Sequence, residues 1–423
     1  MSLNWKRIVL LALFIAFVIV IGYLLYFLFL EPSVPSQPTN ANTNINTNTG
    51  GLPSTGTNVN IPTAGNINGG LPSTGNINSN IDIPGPIPPG TQTVSEVANG
   101  GVTKTTALTT GQTYQPALAS DGSSVVYYDT NSGLFYRINP NGQTSALSDE
   151  IFFQVENITW SSDMNKAVLE YPDGSNIVYD FSTNQQVTLP QHWQDFSFSP
   201  NGQNLVFKSM GSSAESRWLA VASADGSRAQ KIEHLGDKDS TVISSWSPNN
   251  QIIAMFREDK DFDRQNLYFV GLNGENFKST IVEGRGFEGQ WSTNGDKLLY
   301  SVYSSQTDYK PTLWIVDAQG NQIGQARSNL KLETWTDKCT FANNTTIYCA
   351  VPRSLETGAG IYKQDYDNSP TDIYKIDLTT GFSSKIATPQ SNHNIESLIV
   401  TDNETYLYFQ SKTDGKLYNI KLK

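Results

Sequence analysis

Cysteine, histidine and methionine are nearly absent from this 423-residue chain, which has two, three and four of them. The two cysteines, Cys339 and Cys349, show no Cys/His zinc spacing. His192, His234 and His393 are widely spaced, and no Gly-x-Ser-x-Gly elbow accompanies them, so a Ser-His-Asp hydrolase has little to draw on. Charge is sparse too: 28 basic and 39 acidic residues give a net charge of −11. The basic residues are scattered, which excludes the clustered footprint of a nucleic-acid binder. Acidity of this size points mainly to solubility.

Between Ile8 and Leu30 both charge and proline are missing. At about 1.5 Å per residue this apolar run spans roughly 34 Å, enough to cross a bilayer. Lys6 and Arg7 precede it, so residues 1–7 are expected in the cytoplasm and the rest of the chain outside. The run is longer than a signal-peptide core and no Ala-x-Ala site follows it, which favours an uncleaved anchor. Residues 31–100 are rich in Asn, Thr, Gly, Pro and Ser, with almost no aromatics. Such a segment buries too little apolar surface to offset its ordering entropy, and reads as a disordered stalk with a reach on the order of 45 Å. Within it, Leu52-Pro53-Ser54-Thr55-Gly56 recurs as Leu71-Pro72-Ser73-Thr74-Gly75. This resembles the sortase sorting motif. It lies after the apolar run rather than before one, and reads as duplication of a low-complexity linker.

A repeat fills residues 101–423. Phe198-Ser199-Pro200-Asn201-Gly202 leads from one strand into another, and Trp246 to Asn250 and Trp291 to Gly295 repeat it. Weaker copies begin at Ala119, Trp160 and Phe341. Each unit continues through strands b and c to a second turn, such as Asn141-Gly142, Asp225-Gly226 or Asn273-Gly274, and then a strand d. Four antiparallel strands at a period of about 40–50 residues describe a propeller blade. Units begin near Tyr114, Val155, Trp193, Thr241, Gly286 and Lys331, and a three-stranded seventh begins near Asn394. The stretch from Val102 to Thr109 matches a strand d and is expected to complete that last blade, closing the ring without free edges. The fold predicted is an all-β, seven-bladed β-propeller rather than one of six or eight blades, preceded by one transmembrane helix and a stalk. Cys339 and Cys349 are equidistant from Asn344 in a hairpin, and a disulfide across it suits an exported domain.

The turn series resembles the Trp-Asp-like repeats of TolB-type propellers. Ser199 to Gly202, Ser247 to Asn250, Ser292 to Gly295, Leu313 to Asp317 and Asp372 to Asp377 carry the likeness. Asn mostly replaces Asp in the turn, and blades one, two and seven are degenerate. The resemblance implies the fold. It does not carry the family's partners, because the motif encodes none of those contacts.

Asp259-Lys260-Asp261-Phe262-Asp263 opens like an EF-hand loop, making Asp259, Asp261 and Asp263 weak metal candidates. Arg264 and Val270 stand where that loop needs Gly and Glu, so a solvated loop is expected. Ser161-Ser162-Asp163 does not meet the sialidase Asp-box pattern. Length varies instead in the b–c loops: 211–217, 258–264, 304–311 and 353–371, which share one face of a propeller. Loops on a rigid scaffold are where binding usually resides. Tyr309, Lys310, Tyr362, Tyr366 and Asp367 are the candidate binding residues, the tyrosines as anchors for a partner. The function expected is a monomeric, membrane-anchored, extracytoplasmic, non-catalytic binding module for a protein or cell-envelope polymer, without a cofactor. The rival is a glycan hydrolase or lyase with paired carboxylates in the channel.

Overall fold

A computed structural model describes residue 20 and residues 93–423. Residue 20 apart, the expected transmembrane helix lies outside the described residues, as does the expected stalk up to residue 92; its last residues, 93–100, are held against the propeller, Ala98 N donating to Lys421 O at 2.9 Å and Gly100 N to Ile386 O at 2.7 Å. Among the described residues no helix is long and apolar enough to cross a membrane.

Residues 93–423 form a seven-bladed β-propeller. Strand a of the blades starts at Thr113, Asn157, Trp193, Val242, Arg285, Cys339 and Ile395. In blades one to six a, b, c and d are hydrogen-bonded in sequence order, and in blade seven a, b and c are. Blade three shows the plan, with strands Trp193–Phe198, Asn204–Met210, Arg217–Ser223 and Gln230–His234.

The repeated turn has a local cause. Its serine is buried, and the hydroxyl accepts the N–H five residues on while donating to the nearby Asx side chain. Ser199 Oγ accepts from Asn204 N at 3.0 Å and lies 2.7 Å from Asn201 Oδ1. Ser161, Ser247, Ser292 and Thr401 repeat the arrangement with Lys166, Ile252, Lys297 and Tyr406. A β-turn would otherwise leave that buried N–H unpaired. The following turn position needs positive φ, supplied by Gly202 at 66° and Gly295 at 70°. Turns of neighbouring blades also bond one another: Asn249 Nδ2 donates to Gly295 O at 2.6 Å, and Asn344 Nδ2 to Asp296 Oδ2 at 3.0 Å.

Each blade buries its faces against its neighbours. Blades one and two enclose Phe135, Phe152, Trp160, Tyr179 and Phe181 in edge and stacked contacts. The last interface is of the same kind, with Val125, Tyr127 and Ile138 of blade one against Ile399, Tyr408 and Leu417 of blade seven. The ring is therefore closed by an apolar core.

Closure uses the start of the domain, as the sequence suggests, but with two short strands rather than one. β2, Thr106–Ala107, pairs antiparallel with Asn419 and Tyr418 and completes blade seven. β1, Val102–Thr103, pairs parallel with Thr388 and Pro389, adding a fifth strand to blade six. Blade six also starts later than its expected position near Lys331. Leu330 and Leu332 alternate like a strand but are a connector buried in the core between blades five and six. A 3-10 turn at Thr336–Lys338 then leads into strand a. Cys339 and Cys349 are directly opposed in the hairpin and joined by a disulfide.

Candidate functional site

The innermost strand does not run straight in every blade. In blades one, three, five and seven its ladder skips two residues: after Tyr114, Gln194, Arg285 and Glu396. The first skipped residue has positive φ each time: Gln115 at 47°, Asp195 at 57°, Gly286 at 65° and Ser397 at 49°. Such bulges bend a strand and redirect its side chains, often beside a site. Glu288 resumes the ladder just after the blade-five bulge.

Strands a of blades one, five, six and seven, with the 3-10 turn that precedes the blade-six strand, line a cavity of about 540 Å³ in the channel, among them Pro116, Glu288, Gln290, Asp337 of that turn, Ser397 and Ile399. Lys363 lines it too, although it belongs to the b–c loop of blade six, between Pro352 and Thr371. Its Nζ lies 2.8 and 2.9 Å from the two oxygens of Glu288 and 2.9 Å from Asp337 Oδ2. The same ammonium sits 5.7 Å from the ring centre of buried Trp335. One cation is thus held by two carboxylates and an aromatic face.

Burial, then the charge of Asp337, pushes the Glu288 carboxyl above its ordinary range, outweighing Lys363. Burial works against the Lys363 ammonium as well, but Asp337 and Glu288 prevail and hold it above the usual lysine value. Lys338 behaves oppositely. Burial lowers it to about 8, only partly offset by Asp337 and Glu396. Its Nζ is directed to Asn394 Oδ1 at 2.6 Å and Ile395 O at 2.7 Å.

The expected binding residues sit on the b–c face, but most have structural partners. Lys310 Nζ is 3.4 Å from Glu333 Oε2, and Asp367 Oδ1 is 2.7 Å from Lys412 Nζ. Tyr366 packs on Trp335 at 6.2 Å, its hydroxyl accepts Glu356 N at 3.1 Å, and its carbonyl accepts Asn394 Nδ2 at 3.0 Å. It anchors the loop rather than offering a free ring. Tyr309, at a φ of 55°, accepts Gly360 N at 2.7 Å and so joins the loops of blades five and six. Tyr362 is the one of the five left widely exposed, at 57%.

Asp259, Asp261 and Asp263 are taken up by other groups. Arg285 contacts Asp259 and donates to Asp261 O and Phe262 O, Arg264 Nη2 pairs with Asp261 at 2.6 Å, and Asp263 accepts Ser305 Oγ at 2.5 Å. Among the described residues no group of three or more His, Cys, Asp or Glu is placed to hold a metal. The Arg285 clamp fixes the blade-four loop with Phe262 77% exposed, and the Asp263–Ser305 bond joins that loop to blade five. The b–c loops of blades four, five and six therefore form one continuous wall beside the channel.

Histidine chemistry is structural in blade seven. Buried His393 lies with Nδ1 3.0 Å from Ser411 Oγ, and its ring is 4.4 Å from that of Tyr418. Tyr418 Oη donates to Asp414 Oδ2 at 2.6 Å. Asp414 has no hydrogen bond to the His393 ring, so the imidazole does not bridge serine and acid as a triad requires.

No family model matches the chain, and no curated protein matches it. Solved structures do resemble it. An oligogalacturonate lyase in complex with manganese is 14% identical, with a TM-score of 0.51 over 75% of this chain and 93% of that one. The β-propeller domain of Myceliophteria thermophila Cps50 (Swd1) is 10% identical, with a TM-score of 0.50 over 75% and 100%. These are likenesses of fold. The resemblance to TolB-type repeats likewise stands at the level of the propeller.

Glu288 and Asp337 were missed by sequence reasoning, which looked for chemistry in motifs. Their partner Lys363 lies 75 residues beyond Glu288. The signal that was available is the departure of Trp335-Thr336-Asp337-Lys338 from the apolar alternation of a strand a.

Proposed function

We propose that this chain is a membrane-anchored, extracytoplasmic binding module whose b–c face captures a protein or envelope polymer without catalysing a reaction on it. The observation that carries this reading is the interlocked loop wall. It holds Phe262, Ile361 and Tyr362 at 77, 45 and 57% exposure on loops already fixed by hydrogen bonds. Pre-organised aromatic and aliphatic side chains lose little entropy on binding and make effective anchors. Ile151 and Phe153, in the connector from blade one to blade two, are also exposed on this face. The uncharged run from Ile8 to Leu30 after Lys6 and Arg7 supports the anchor and its orientation.

The test is capture of a specific partner from envelope extract by the full-length chain and by its Phe262→Ala/Tyr362→Ala variant. The reading expects one partner recovered reproducibly by the parent and lost by the variant. Equal recovery by both contradicts it.

A second reading is a glycan-active enzyme, favoured by one observation: the half-buried carboxyl of Glu288, held above its ordinary range beside Asp337, the pairing a glycosidase acid and base would need. Lys363 bridges both carboxylates, which weakens that assignment. Cleavage of oligogalacturonate or another polyuronate that disappears in Glu288→Gln would favour it.

A further inference from the structure

We infer that the Glu288–Asp337–Trp335 pocket is a recognition site for a lysine side chain of the partner, occupied in this structure by the chain's own Lys363. The inference rests on the binding-module reading and names the chemistry of part of its partner.

The pocket has the features an alkylammonium requires. Both oxygens of Glu288 and one of Asp337 lie within 3 Å of a single Nζ. The Trp335 ring supports the charge from a third side. The other cation nearby does not compete, because Lys338 is directed to Asn394 and Ile395. The cavity beside the site, about 540 Å³, has room for a side chain entering from the b–c face.

Lys363 is suited to leave. It stands at the start of a 3-10 turn, Lys363–Tyr366, with Ile361, Tyr362, Gln364 and Asp365 around it all exposed. The loop is fastened elsewhere, through Tyr366 to Asn394 and Glu356 and through Gly358 and Gly360 to blade five. Exchange therefore needs a change of side-chain rotamer, not loss of the loop's anchors. It is also neutral in charge, since one ammonium replaces another against the same two carboxylates. The field favours a basic partner. Of the charged residues only Lys6, Arg7, Glu31 and Asp82 precede residue 93, and they cancel, so the whole net charge of −11 falls on residues 93–423.

The test is binding of Nα-acetyl-lysine methylamide to the full-length chain, to Lys363→Ala, and to Lys363→Ala/Glu288→Gln, with the norleucine analogue as the uncharged control. Lys363→Ser is made in parallel, in case the alanine variant loses its cooperative unfolding transition. The inference expects the vacated pocket to bind the lysine probe at least about tenfold more tightly than the parent, as expected when an internal competitor is removed. It expects the norleucine probe not to show this gain, and the double variant to lose it. Equal affinity of parent and vacated variants, or no preference for lysine over norleucine, overturns it. A free lysine derivative needs no partner, so this outcome is read separately from partner capture through Phe262 and Tyr362.

Discussion

The two faces of this ring follow different rules. On the a–b face the same turn is built from the same bonds in blade after blade: a buried Ser or Thr hydroxyl at residues 161, 199, 247, 292 and 401 closes it, and neighbouring turns bond each other. On the b–c face the loops of blades three to six differ in length and sequence, and those of blades four to six interlock through contacts that occur once each. Repetition on one face, in five of the seven blades, marks a local requirement of the fold. Individuality on the other marks where a single surface is assembled, and there the exposed aromatics and the channel cation site are found.

Breaking the ring itself should have the largest effect. Removing residues 93–109 deletes β1, β2 and the Leu108 N–H bond to Leu417 O. Blade seven would then expose an unpaired edge beside its core with blade one. We expect loss of several kcal/mol, with a lower denaturant midpoint and a broader transition. Unchanged unfolding would show that closure depends on the apolar interface alone.

Much of this was legible before any coordinates. The period and the turn residues specify blades because hydrogen bonding over five residues is a local matter. Cys339 and Cys349 could be placed opposite each other because a hairpin fixes register. The closing strand was legible from its likeness to the stretch from Gln143 to Ser148. Its division into β1 and β2 was not, since two-residue strands leave no period. The site was the least legible part. Lys363, Glu288 and Asp337 meet only because blades five and six are adjacent and a long loop folds inward. The packing of Tyr366 is hidden for the same reason: a tyrosine in a loop carries no mark showing whether it packs on a tryptophan below.

Next in size is a pH effect confined to the loop-face end of the channel. The folded pKa of Lys338 is lowered to about 8, while the unfolded chain holds its proton to about 10.5. Between those values the unfolded state binds more protons, so this group's contribution to stability rises with pH across that window. The burial penalty is fully present below pH 8. A shift of this size corresponds to on the order of 3 kcal/mol. The difference in urea stability between the parent and Lys338→Met should therefore change in the parent's favour from about pH 8 to 10.5. A flat difference would mean that the ammonium is solvated.

The turn face offers a smaller break. Ser247 is fully buried and its hydroxyl receives Ile252 N at 2.9 Å. Ser247→Ala leaves that N–H unpaired and should cost about 1–3 kcal/mol. Partner capture should be unchanged. The smallest expected change in stability belongs to the loop face: Phe262→Ala/Tyr362→Ala removes two exposed rings and should stay within about 0.5 kcal/mol per site.

The contrast between faces is tested most directly by measuring, with the full-length chain, how much of the parent's envelope partner is retained by Ser247→Ala and by Phe262→Ala/Tyr362→Ala. The account predicts full retention by the destabilised turn variant and loss by the stable loop variant. Loss by the turn variant with retention by the loop variant would contradict it.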